Sequence, residues 1–108
     1  TGLVFTGQDD VMTDIGYCAF AATDLELILR SRGIDTLIIT GVTTEVCVSS
    51  TLRSAIDRGF NCLTVSDACA SAHPELHAAA LAMIGVGGGI FGEVCDSAAV
   101  LSALREAA

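Results

Sequence analysis

The sequence predicts an α/β fold, a parallel sheet of βαβ units with helices on both faces. Three observations carry that prediction. Apolar runs are short and bounded by charged residues or glycine, as in "TLIITGV" (36–42) and "CLTVS" (62–66). The segments between them repeat apolar residues at helical spacing. Strand and helix alternate about every 25 residues, which calls for right-handed crossovers and parallel pairing.

The elements follow in order. "TGQDDVMTD" (6–14) opens with turn formers and then offers a short strand around Val11 to Thr13. "ATDLELILRSRG" is a helix with Thr23 or Asp24 as cap, Leu25, Ile28 and Leu29 as apolar stripe, and Gly33 as stop. "IDTLIITG" is β-branched, too short for a helix, and reads as a buried strand. "VCVSSTLRSAIDRG" then sets Val48, Leu52, Ala55 and Ile56 on one helical face and ends at Gly59. The unit repeats with "FNCLTVSD" as strand and "HPELHAAALAMIG" as a helix with proline in its first turn. "GGGIFGEVC" is a short strand flanked by glycine, and "DSAAVLSALREAA" a last helix capped by Asp96 or Ser97.

Composition narrows the function classes. The 108 residues carry a net charge of −8, and all five basic residues are arginine. An acidic chain repels phosphate backbones and anionic headgroups, so nucleic acid and membrane surfaces are excluded as partners. No apolar run reaches the roughly 18–20 residues of a membrane span. The 52% hydrophobic content is high for one soluble domain and predicts surface meant for other subunits or for more of the same domain. The chain starts at Thr1 rather than methionine and is expected to belong to a longer protein. Five cysteines (18, 47, 62, 69 and 95) without a C-x-x-C pair argue against a disulfide framework or zinc ribbon and for a reducing, cytoplasmic setting.

In open α/β sheets, functional groups gather beyond the carboxyl ends of the strands. Those ends are Asp14, the loop from Gly41 to Cys47, Ser66 to Cys69, and Val94 to Asp96. Cys47 fits two descriptions. At a strand–helix junction it stands where unpaired amides and the helix dipole activate a thiol. It is also a small apolar residue between Val46 and Val48, as buried cysteines commonly are. His73 and His77 are spaced i, i+4 but lack a third ligand and read as a solvated helix start. "GVGGGIFG" leads into a strand rather than a helix and reads as a tight loop, not a phosphate cradle.

The stretch "CAFAATDLELILRSRGIDTLIITGVTTEVCVSSTLRSAIDRGFNCLTVSDACAS", continued by "ELHAAALAMI" and "GGIFGEV", resembles the isochorismatase-like cysteine hydrolase superfamily. Its most specific part is "GVTTEVCV" followed by the small-residue helix and the "DACAS" strand end. The resemblance covers about Asp10 to Ser97. It implies a Rossmann-like three-layer fold and acyl transfer through a cysteine thioester. The superfamily includes nicotinamidases and hydrolases of N-carbamoylsarcosine, ureidoacrylate and biuret. By resemblance Cys47 is the nucleophile, Val42–Thr43 is a cis peptide, and the amides of Thr43 and Cys47 form the oxyanion hole. Tyr17, Phe20 and Thr44 approach the substrate pocket. A cysteine at this place argues against the vinyl-ether branch and for C–N cleavage of a small amide, ureide or carbamoyl compound.

Two departures accompany it. The family's lysine position holds Asp14, and the chain has no lysine. The family's first-strand aspartate has no counterpart, because no strand is read before Gly7. The chain is therefore expected to be the C-terminal portion of one domain, residues 1–108, with unpaired strand edges that a homo-oligomer or complementing subunit would cover. The zinc-binding residues of nicotinamidases fall in the missing region, so neither metal nor other cofactor is expected. Two functions follow: a cysteine amidohydrolase, or a catalytically degenerate member that binds a small ligand or serves as a structural subunit.

Overall fold

The computed structural model describes residues 2–5 and 17–107. The expected strand at Val11–Thr13 lies outside them, as does Asp14. The expectation of no strand before Gly7 is corrected. A strand β1, Gly2–Phe5, runs parallel to β2, Thr36–Val42, with Gly2 opposite Thr36 and Phe5 opposite Ile39. Four residues show little periodicity of their own. Their strand character comes from pairing with Leu37–Ile39, far along the chain. On its other side β2 pairs with β3, Asn61–Ala70, so among the described residues it has neighbours on both edges. The last strand, β4, Glu93–Cys95, pairs with β3, and all pairings are parallel in the order β1-β2-β3-β4. The expected strand "GGGIFGEVC" shrinks to these last three residues, because 87–91 form turns.

Four helices join the strands: α1, Leu25–Ser31; α2, Ser49–Asp57; α3, Pro74–Ile84; and α4, Ser97–Ala107. Alternation along β2 sorts them onto two faces. Leu37 and Ile39 join Leu25, Leu29, Val48, Leu52, Ala55 and Ile84 in the main core, so α1, α2 and the end of α3 cover one face. Ile38 turns the other way and meets Val65 and Val100, which seats α4 on the opposite face. A sheet that grows in one direction by right-handed crossovers places its connecting helices on one side. α4 follows the last strand and takes the opposite face, which gives the predicted three layers. None of the described helices is long and apolar enough to cross a membrane.

The helix stops work as read. Gly33 (φ +69°) and Gly59 (φ +87°) adopt the left-handed conformation, and the amides beyond them, of Ile34 and Phe60, donate back to Leu29 and Ala55 at 3.0 Å. Thr23 accepts weakly from the Leu25 amide (3.4 Å), and Asp24 makes no side-chain cap. At α4, Asp96 accepts from the Ala99 amide (2.8 Å) while Asp67, from β3, accepts from the Ser97 amide and hydroxyl (both 2.7 Å). Gly92 (φ +81°) lies against β3 so tightly that a Cβ there would collide with the Cys62 carbonyl oxygen.

Arginine planes finish the main core. The Arg30 guanidinium stands 4.5 Å over Phe60, and that of Arg58 5.0 Å over Phe20. Glu26 links the pair, accepting from Arg58 Nε at 3.0 Å and from Arg30 at 3.5 Å. On another surface Arg53 lies 4.4 Å over Phe91.

Candidate active site

The site is built where β2 ends. Its register with β3 is regular from Thr36 to Ile39, then shifts before Gly41 (φ +123°), which pairs with Cys69, and Val42, which pairs with Ala70. A backbone conformation open to glycine thus carries β2 past the shift and delivers Thr43 to the carboxyl edge of the sheet. The Val42–Thr43 peptide is cis. From there the chain makes a wide π-helical turn, Thr44–Val48, before α2 begins. The amides of Val46 and Val48 both donate to the Thr43 carbonyl, at 3.1 and 3.2 Å, and the Ser49 amide donates to that of Thr44. Such i→i+5 turns occur frequently at functional sites. Cys47 sits inside this turn, half-buried, instead of in the first turn of an ordinary α-helix.

Two side chains of the turn reach the β3–α3 junction. Thr44 is fully buried, and its hydroxyl lies 2.7 Å from His77 Nδ1 on α3. Glu45 Oε2 accepts a hydrogen bond of 2.9 Å from the Ser71 hydroxyl, whose oxygen in turn accepts from the His73 amide at 3.1 Å. The other Glu45 oxygen is buried without a partner.

The remaining sequence-predicted residues separate. Tyr17 is exposed, at 72%. Phe20 is buried in the main core and stacked on Phe60 (5.8 Å between ring centres), so its ring is held by packing. The solvated reading of the histidines holds for His73, which lies 3.8 Å from Glu75, but not for His77. Spacing i, i+4 could not reveal the partner of His77, because Thr44 lies on another element. Among the described residues no group of three or more His, Cys, Asp or Glu is placed to hold a metal ion.

The segment before α1 closes over the same helix. The Ala19 amide donates to Thr51 Oγ1 (3.0 Å), and Thr51 follows Cys47 by one turn. Burial pushes the neighbouring Cys18 thiol up, but hydrogen bonds to Ser54 and to the backbone of Phe20 and Ala21, with the charge of Arg58, outweigh it and leave Cys18 below the ordinary value. Burial pushes Cys62 up to about 11 and Cys69 up as well. Cys95 is raised by burial and by Asp96, Glu93 and Asp67. Alkylation proceeds through the thiolate, so its rate at Cys18 levels off at a lower pH than at Cys62, whose rate keeps climbing toward pH 11. Peptide mapping after pulses of iodoacetamide across a pH series checks this. Coincident profiles would contradict it.

Comparisons with known proteins give the family and the fold. Residues 3–99 match the Isochorismatase domain. The chain is 46% identical over 97 residues to the ureidoacrylate amidohydrolase RutB of Methylobacterium radiotolerans, covering 89% of this chain and 36% of that protein. Among solved structures it resembles a cysteine hydrolase from Pseudomonas syringae (TM-score 0.79, 30% identity, 88% of this chain and 48% of that one). It also resembles the nicotinamidase/pyrazinamidase PncA of Bacillus subtilis (TM-score 0.73, 39% identity, 79% and 45%). The chain thus spans less than half the length of each.

Proposed function

The chain belongs to the isochorismatase family, and on that premise we propose that it is a cysteine hydrolase that cleaves a C–N bond of a small amide, ureide or carbamoyl compound. The observation that carries this reading is the placement of Cys47 in the turn that leaves the carboxyl end of β2, a strand paired on both sides. The relatives named ureidoacrylate amidohydrolase, nicotinamidase and cysteine hydrolase support the substrate class.

In this mechanism the Cys47 sulfur attacks the carbonyl carbon and a C–S bond forms. The carbonyl oxygen takes up negative charge, which the backbone amides of Thr43 and Cys47 stabilise. The tetrahedral adduct collapses, the C–N bond breaks, and nitrogen leaves with the proton that the Cys47 thiol gave up. Water then attacks the thioester, releases the acid and restores the thiol. In this reading exposed Tyr17 contacts substrate, while buried Phe20 and Thr44 support the pocket wall. No cofactor enters any step. A homo-oligomer or complementing subunit is part of the proposal, supported by the exposed Met83, Val86, Ile90, Leu101 and Leu104.

A second reading, a degenerate member that binds but does not turn over, is favoured by Asp14 at the family's lysine position in a chain without lysine. One experiment separates them. The protein is incubated with a panel of ureides, carbamoyl amines and nicotinamide, with ammonia release and intact mass followed together. Hydrolysis predicts ammonia and a transient acyl adduct on Cys47. Saturable binding by calorimetry without ammonia or adduct would establish the second reading instead.

A further inference from the structure

We infer that His77 is a positioning residue for the Cys47 turn, acting through Thr44. This inference rests on the hydrolase reading of Cys47. Thr44 opens the turn that contains Cys47, and its hydroxyl is fully buried, so it needs a partner within the protein. That partner is His77 Nδ1 at 2.7 Å, on α3, an element that contributes nothing else to the proposed chemistry. In either ring tautomer one of the two atoms donates and the other accepts.

The contact does not stand alone. Glu45, the next residue of the turn, accepts from Ser71, and Ser71 accepts from the His73 amide at the N-terminus of α3. The first amide-to-carbonyl bonds of α3 run from Leu76 and His77 to His73, at 3.0 and 3.1 Å. Thr44, Glu45, Ser71, His73 and His77 therefore form a closed ring of hydrogen bonds and helix backbone. The π-turn is gripped at two adjacent residues from outside itself. Those residues lie between Thr43 and Cys47, the two positions whose amides face the developing charge in the proposed mechanism. Backbone bonds of the turn run to the Thr43, Thr44 and Val46 carbonyls and Val48 anchors its end in the main core; the bonds of Thr44 to His77 and of Glu45 to Ser71 fix its start against α3 and the end of β3.

Asparagine places an amide atom near the position of Nδ1, whereas glutamine places one near Nε2. The substitutions His77→Asn, His77→Gln and His77→Ala therefore report on the Nδ1 contact itself. Thr44→Ser keeps the hydroxyl, and Thr44→Val removes it at constant shape. Two readouts are used: the alkylation rate of Cys47 by iodoacetamide, mapped by peptide mass, and kcat with the best substrate. Labelling of buried Cys62 in the same samples monitors the fold.

His77→Ala, His77→Gln and Thr44→Val are expected to alter the Cys47 rate and lower kcat on the order of tenfold or more, with KM little changed. His77→Asn and Thr44→Ser return both toward wild type. The double variant His77→Ala/Thr44→Val is no worse than either single one. The inference is overturned if His77→Asn behaves like His77→Ala, or if His77→Ala leaves Cys47 labelling unchanged. Labelling reads the outcome even if no substrate is turned over, so failure of the hydrolase reading stays separate.

Discussion

Replacing Cys47 with alanine removes hydrolysis, with a loss on the order of a thousandfold or more in kcat for any substrate the protein turns over. The substitution deletes the atom that forms the bond to carbon, and no other cysteine stands in the Thr44–Val48 turn. Cys62 and Cys69 are buried in the main core, Cys95 ends β4 among three acidic groups, and Cys18 lies before α1, outside the Thr44–Val48 turn. The matched control is Cys95→Ser, which leaves ammonia release within about twofold, since a half-buried thiol outside the site is replaced by a group of similar size. Initial rates of ammonia release for both variants check the prediction. Substantial turnover by Cys47→Ala would remove the thioester mechanism.

Gly92→Ala is the substitution expected to harm stability most for its size. At φ +81° an alanine is strained, and its Cβ would drive into the Cys62 carbonyl oxygen with the carbonyl carbon 2.9 Å away. Those atoms are backbone of β3 and cannot rotate aside. The cost is about 2–4 kcal/mol, which for a domain of this size lowers Tm by roughly 10 °C or more. Gly88→Ala separates conformation from collision. Gly88 has φ +65° but open space around its added Cβ, so it costs only about 1–2 kcal/mol. Thermal unfolding of both variants reads the difference, and equal shifts would show that the approach to Cys62 is not what matters.

What was legible in the sequence was whatever repeats locally. Leu25 and Leu29, and Val48, Leu52 and Ala55, announce their buried faces by spacing, and Gly33 and Gly59 end their helices by chemistry that two neighbouring residues reveal. Cys47 was legible as a candidate because a strand pattern changes to a helix pattern around it. The illegible features all depend on partners distant in the chain. Gly2–Phe5 becomes a strand only against Thr36–Ile39, and β3 continues to Ala70 because Gly41 and Val42 pair with its end. The Thr44–His77 bond joins residues 33 positions apart, and nothing near His77 distinguishes it from the solvated His73. Val46, Cys47 and Val48 fit an α-turn as well as a π-turn. The wider turn is set by the Thr43 carbonyl, which accepts two amides.

The strand order has a consequence for how the molecule assembles. Order in space equals order in the chain, so no described strand has to be inserted between two that are already paired. Once β1 and β2 are joined, β3 adds to the open side of β2 and β4 to that of β3. Each addition closes one loop containing a single helix, and its entropic cost grows only slowly with loop length. During synthesis the described strands can therefore be added one at a time in chain order. The Cys47 turn acquires its β3 flank only when Cys69 and Ala70 emerge, and its His77 anchor a few residues later.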